Sequence, residues 1–501
     1  MYRKSFKGED QLSLELGSFS TPFASQLDPQ NRWVKLSTLI PWQRFEAEYS
    51  ESFKEKGRQA YPFRMALGAL LIQTKLSFTD RELVEQVSEN PYLQFFLGMP
   101  GFSVCPFDDS TVTHFRRRIT PEMMNAINEA IVEKAVVGKG AATPQDRSED
   151  FHDDSSANSG KMILDATCAP EDIRHPTDLS LLDDVRKSTE EMVDCLWART
   201  PPELRMRKPR THRIRARRVA LSVLKKRKPR LQEIWKATRI QMNCVRRNLE
   251  SIAVLSRAVP LSCLGKRRYK NLLVSSEVLR QQRELYEKRR RHEPLSLPDR
   301  IVSLHKPHVR PIIRGKAGAP VEFGMKLSIS VSEGFTHLDH QSFDPYHEGI
   351  LLPEHVERFK ERTGHYPEAV LVDGAYRTRD NRRYCKERGI RILGKPLGRP
   401  MEIPLIVEAE RKQTLQDERE RNWVESKFGI GKRRYGLARL MTRLAETSKT
   451  TAVLILAMMN LEKILRDLLS SLIFYLRRGF RRAMIVSAGD EGTAISLSIA
   501  A

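Results

Sequence analysis

Cysteine is scarce in this chain: six in 501 residues, at Cys105, Cys168, Cys195, Cys244, Cys263 and Cys385, with no Cys-x-x-Cys pair. That spacing argues against a zinc ribbon and offers no disulfide framework, so the six read as reduced structural thiols. Long apolar runs are missing too. The most apolar stretch, Ala452 to Met459, gives way to Asn460, Glu462, Lys463, Arg466 and Asp467, short of the roughly 20 uncharged residues of a membrane helix. The basic pair Arg3-Lys4 has no apolar run behind it, so no secretory signal is read, and the expected compartment is the cytoplasm. No Gly-Lys pair is followed by Ser or Thr, which removes the P-loop and with it a nucleotide-driven motor. Negative charge is in short supply: 63 Asp+Glu against 86 Lys+Arg leave +23, at a pI near 9.8. A polyanionic partner follows, with nucleic acid first and a membrane excluded.

What is present divides into segments. At roughly 150 residues per domain the length allows about three domains. Residues 1–138 read as an all-helical N-terminal domain that binds DNA. Thr79-Asp80-Arg81-Glu82 is a helix-start signal, and Asp109-Ser110-Thr111 is a second, ahead of Val112, Phe115 and Ile119 on one helical face. His114, Arg116, Arg117 and Arg118 then point largely elsewhere. This suits a helix-turn-helix, and equally a small bundle with a solvated basic face. Residues 139–160, rich in Gly, Ser and Asp, read as an exposed linker.

Residues 171–295 read as a helical, basic insertion, with helices expected over Leu179 to Leu196 and Leu231 to Leu255. Between them lies a cationic run containing Arg213, Arg215, Arg217 and Arg218, with Glu203 as its counter-charge. A run this one-sided repels itself unless an anion lies along it, so DNA contact is expected there. Strands are expected at Lys161 to Thr167, Ile301 to Leu304, Val321 to Val331, Ala369 to Asp373 and Ile390 to Leu393. The last long helices are expected to begin near Leu415 and Thr451, with 471–501 as a tail. His305-Lys-Pro-His308 and His337-Leu-Asp-His340 lack partner ligands and read as solvated loop histidines.

Two carboxylates carry the chemistry. Asp165 and Asp373 each end an apolar strand, and two anions at neighbouring strand ends are costly unless divalent cations neutralise them. With a third carboxylate they would make a two-metal site for phosphoryl transfer. The segment Arg421-Asn-Trp-Val-Glu425-Ser-Lys-Phe-Gly-Ile-Gly-Lys432 offers that third group: helical steps of four and seven line up Arg421, Glu425 and Lys432, one acid for metal between two cations for phosphate. Gly429 and Gly431 weaken the helix there, which would leave Lys432 past its end. Read alone, this segment is equally an exposed helix with incidental charges.

Together these segments resemble bacterial insertion-sequence transposases of the Asp-Asp-Glu class. The closer resemblance is to the branch whose last catalytic segment reads Tyr, two residues, Arg, three residues, Glu, six residues, Lys. Arg421, Glu425 and Lys432 fit that spacing, whereas Glu418 stands at the Tyr position. The resemblance implies a ribonuclease-H-like core over 161–170 and 296–470, an α/β mixed sheet flanked by helices, carrying catalytic, metal-binding Asp165, Asp373 and Glu425. It also implies two Mg2+ ions, with Mn2+ a substitute, and homo-oligomers on double-stranded DNA, both terminal inverted repeats and target. The implied reaction is cleavage at element ends and transfer of the 3′ hydroxyl. A catalytically inactive DNA-binding relative, and a metal-dependent nuclease without strand transfer, are the alternatives.

Overall fold

The computed structural model describes residues 26–53, 59–103, 106–140, 158–204, 207–316, 319–394 and 404–490, together with Phe19 and Thr21. Most of the expected linker lies outside these residues. Among the described residues the N-terminal part is helical: α1 (Arg32–Leu39), α2 (Trp42–Glu51), α3 (Phe63–Leu76), α4 (Asp80–Glu89), α5 (Pro91–Phe96), α6 (Asp109–Arg118) and α7 (Pro121–Gly140). Its starts are fixed locally. Thr79 and Glu82 form a reciprocal capping box on α4, and the Asp108 carboxylate accepts from the Ser110 N–H at α6.

The sheet is mixed. β1 (Lys161–Pro170) runs antiparallel to β3 (Ala319–Ser332) and parallel to β5 (Ala369–Leu371), which pairs in parallel with β6 (Arg391–Ile392). β3 also takes β2 (Arg310–Lys316) along its first part and β4 (Phe335–Ser342) along its second, both antiparallel. β1 and β3 run so close at Gly324 that a Cβ there would stand 2.2 Å from the Ala169 carbonyl oxygen, which explains the glycine. Alternation along β1 and β5 splits their side chains between two layers. Met162, Leu164, Val370 and Val372 pack under α12 (Leu352–Thr363) and α13 (Arg379–Glu387). Ile163 and Leu371, register partners across the pair, face Val424 of α14 (Pro404–Arg434). This is the ribonuclease-H-like arrangement of a mixed sheet flanked by helices.

Four helices lie between β1 and β2: α8 (Asp178–Arg199), α9 (Arg213–Leu224), α10 (Leu231–Leu255) and α11 (Gly265–Arg290). Their interior holds Arg186, buried and saturated by Asp183 at 2.6 Å, Glu190 at 2.7 Å and Gln241 at 2.9 Å. A buried guanidinium demands such partners.

Several expectations fail here for identifiable reasons. Ile301 to Leu304 is not a strand: Ile301 and Leu304 pack into the inserted helices, and the Ile301 N–H donates to the Gln281 side chain instead of to a ladder. Of the four histidines read as solvated loop residues, His337 is buried on β4 with Nδ1 2.9 Å from Glu129. His308 stacks edge-on to Phe343, and burial lowers its pKa to about 4. α14 begins before Leu415 and α15 (Ala445–Asp490) before Thr451, and α15 runs past residue 470, through the start of the expected tail. No described helix is long and apolar enough to cross a membrane.

The N-terminal helices are not a detached module. They share one core with Met325, Leu327, Ile329 and Phe335 of the sheet and with α15. A buried polar knot ties the three parts together. Asn460 on α15 accepts from the Thr336 N–H at 2.9 Å and donates to the Thr336 carbonyl at 2.8 Å and to Asn128 of α7 at 2.9 Å. Replacing Asn460 by Leu would strand several of these groups, each at about 1–3 kcal/mol. Chemical denaturation of Asn460→Leu should therefore show a loss of at least about 2 kcal/mol, and a midpoint equal to wild type would remove the knot from the stability argument.

Candidate active site

Asp165 follows Ile163 by two on β1, and Asp373 follows Leu371 by two just beyond β5. Because Ile163 and Leu371 are register partners on the face covered by α14, the strand period turns both carboxylates toward that helix. The Asp165 carboxylate accepts from the Ala166 N–H at 2.7 Å, and that of Asp373 from the Ala375 N–H at 2.8 Å, capping a short 3-10 turn, Gly374–Tyr376. Burial raises the Asp165 pKa to about 6. The Ala166 N–H works against this, while the anions of Asp373 and Glu348 push it further up.

Both aspartates line an open cavity of about 560 Å³ whose wall also includes Glu348, Lys326, Arg421, Glu425, Phe428 and Lys432. Arg421, Glu425 and Lys432 thus reach one cavity, as their helical spacing requires. α14 continues through Lys432 to Arg434, against the expectation that the glycines end it. A Cβ at Gly431 would meet Leu437 and Met459 at 3.2 and 3.3 Å, so that glycine serves close packing. Val424, buried between Ile163 and Leu371, anchors this turn on the sheet. Glu425 itself is exposed, 3.9 Å from Arg421. Glu418 lines a neighbouring cavity with Asp373 and Arg377.

The structure gives the two aspartates a different nearest acid from the one the sequence suggests. Among the described residues, one set of three acidic groups has ligand atoms all within 4.8 Å of one another: Asp165, Glu348 and Asp373. Glu425 stays outside that set. Glu348 opens the 3-10 turn Glu348–Leu351 ahead of α12 and pairs with Lys326 of β3 at 2.7 Å. In the sequence it is one Glu in the irregular stretch Phe343-Asp-Pro-Tyr-His-Glu348-Gly, with no apolar run before it. Its one local cue is Gly349. An all-oxygen donor set of this kind can hold a hard divalent cation.

The basic residues expected on DNA fall into two groups. Arg116 is bound to Asp80 and Gln73, and Arg118 donates to the Ser52 carbonyl at 2.8 Å with its guanidinium 3.8 Å from the Phe53 ring centre. Both are committed inside the chain, whereas Arg117 is exposed. On α9, Arg213 pairs with Asp194 at 2.7 Å, while Arg215, Arg217 and Arg218 are exposed. All five described cysteines are free thiols.

Two transposase family models match parts of the chain. The family model described as Transposase DDE domain matches residues 370–462, which include Asp373 and Glu425. The one described as Transposase domain (DUF772) matches residues 22–118, in the helical N-terminal part. The chain is similar to the "Uncharacterized protein ORF8 in nfe locus" of Rhizobium meliloti, 33% identical over 156 residues, which are 31% of this chain and 69% of that protein. No solved structure matches.

Proposed function

Because this chain belongs to the bacterial insertion-sequence transposases of the Asp-Asp-Glu class, we propose that it cuts DNA at the ends of its element and joins the freed 3′ hydroxyl to target DNA. The observation that carries this reading is the convergence of Asp165 and Asp373 on one cavity with Glu425, Arg421 and Lys432. Asp165, Asp373 and Glu425 would hold the divalent ions. Bound there, such ions activate the attacking oxygen and stabilise the leaving one. The chain's own part is to place the two aspartates by strand register, and to set cations beside the scissile phosphate. Arg421, 23% exposed at its side chain, is fixed beside Glu425, and Lys432 sits two turns further along the helix. Both can offer charge-assisted hydrogen bonds to phosphate oxygens.

The test is a plasmid bearing two element ends, incubated with the full chain, Mg2+ and a target plasmid. Joined product that EDTA abolishes is expected. Cleavage without joining would reduce the activity to a nuclease, and binding without cleavage would reduce the chain to an inactive DNA-binding relative.

DNA affinity should reside largely on the insertion. Arg215, Arg217 and Arg218 of α9 are exposed, and Arg215 and Arg218 line a cleft with Lys208, Arg210 and Arg213. If they lie along phosphates, changing all three to Gln weakens binding to every sequence. It also lowers the salt dependence of log K by about 0.9 per lost contact, roughly 2.7 in all. Adding Arg213→Gln should cost less than the others, since that side chain already pairs with Asp194. An unchanged slope in the triple variant would return α9 to an ordinary solvated face. Arg117 of α6 should instead act on preference for the element's ends.

A further inference from the structure

Resting on the metal-dependent reading above, we propose that Glu348 is itself a cation ligand, and that Asp165, Glu348 and Asp373 take up one divalent ion in the DNA-free protein, with Glu425 engaged only when DNA is seated.

The first support is distance. Ligand atoms of the three carboxylates lie within 4.8 Å of one another. Cis oxygens around an ion at about 2.1 Å stand roughly 3 Å apart, so small side-chain rotations close the set. Glu425, exposed on α14, lies outside that set.

The second is mounting. The turn that bears Glu348 is clamped to the turn that follows Asp373: the Asn381 amide donates both to the Gly349 carbonyl at 2.6 Å and to the Tyr376 carbonyl at 2.7 Å. The two turns approach so closely that a Cβ on Gly349 would stand 2.6 Å from the Ala375 carbonyl oxygen. A glutamate whose task was only to pair with Lys326 would need no such fixed relation to Asp373. Metal ligands do need it, because their mutual geometry sets affinity.

The third is charge. Lys326 is held by the Tyr346 carbonyl at 2.8 Å and contacts Glu348 at 2.7 Å. Lys326 compensates Glu348, and Arg421 and Lys432 line the same cavity, with Arg421 favouring the Asp165 anion, so three converging carboxylates share single cations spread around the cavity and none placed between them. A divalent cation supplies the missing charge without displacing Lys326, since Glu348 has a second oxygen to offer.

The experiment is Mn2+ titration of the full chain without DNA, read from the loss of the free-ion paramagnetic resonance signal. Wild type should bind one ion with high affinity, Glu348→Gln should weaken binding at least tenfold, and Glu425→Gln should stay within twofold. A guard against misfolding of Glu348→Gln uses the wild-type chain alone: Fe2+ with ascorbate and peroxide should cut the backbone near 165, near 373 and within 346–350, and Mg2+ should suppress all three cuts. Wild-type-like binding by Glu348→Gln, or no iron-directed cut at 346–350, overturns the inference. If Asp165→Asn still loses Mn2+ in that case, the metal-dependent reading survives it. No Mn2+ bound by wild type overturns the inference, whereas the transposase reading is decided separately by the joining assay.

Discussion

Asp165→Asn and Asp373→Asn should each abolish DNA cleavage, by at least about a thousandfold or ~4 kcal/mol of barrier, while leaving DNA affinity nearly intact. Affinity comes from Lys and Arg facing phosphates, so deleting one carboxylate in a cavity does not reduce it. Asp165→Asn has a second consequence that distinguishes a site residue from a structural one. Burial raises the Asp165 pKa from 3.8 to about 6, so its ionised form burdens the folded state. The raised pKa means that the folded protein holds this proton more tightly. The burden is absent below about pH 4, grows between pH 4 and 6, and is complete above pH 6. Allowing for solvent screening of a partly exposed group, it amounts to about 2 kcal/mol at neutral pH. The neutral amide removes it. The inactive variant should therefore unfold at a higher denaturant concentration than wild type at pH 7.5 without added metal, and the gain should vanish near pH 4. For the same reason Mg2+-dependent cleavage by wild type should fall as pH drops through 6, because the proton competes with the cation. Retained cleavage in either variant, or an Asp165→Asn protein less stable than wild type, would remove these aspartates from the centre of the site.

How the site could be read from the chain follows from which contacts are periodic. Apolar strands ending in Asp were visible because alternation and β-branched content are local, and the same periodicity that marked Ile163 and Leu371 as buried also turned Asp165 and Asp373 toward α14. The helical spacing of Arg421, Glu425 and Lys432 was legible on the same ground. Leu231 to Leu255 appeared as α10 with the expected limits, since its apolar face is regular. Glu348 was illegible: it owes its place to β3 through Lys326 and to Asn381 through Gly349, partners 22 and 32 residues away with no pattern linking them. The weak glycines of α14 misled for a related reason. Propensity priced Gly431 as a helix breaker, while its packing against Leu437 and Met459 keeps the helix intact. His337 likewise looked like a loop residue because β4 is short and polar, and its burial depends on Glu129 of α7, 208 residues away.

Between Glu425 and Glu418 the geometry supports a sharp ranking. Seven residues apart on one helix, they share a face but stand about 10.5 Å apart along the axis at ~1.5 Å per residue, so they cannot both reach one ion pair. Glu425 lines the cavity that contains both Asp165 and Asp373, and its turn is pinned by buried Val424 against Ile163 and Leu371. Glu418 reaches the neighbouring cavity, where Arg377 and Arg421 are the cations beside Asp373. That position suits tuning of the Arg377 and Arg421 guanidinium groups better than holding an ion. Glu425→Gln should accordingly eliminate Mg2+-dependent cleavage and strand transfer, by at least about a thousandfold, whereas Glu418→Gln should lower activity by a few-fold at most. Because Glu425 enters with DNA, its variant should bind end-containing DNA normally and fail at the chemical step. The opposite ranking in a cleavage assay on DNA carrying an element end would mean that α14 turns a different face to the sheet when DNA is bound, and the roles given to Arg421 and Lys432 would fall with it.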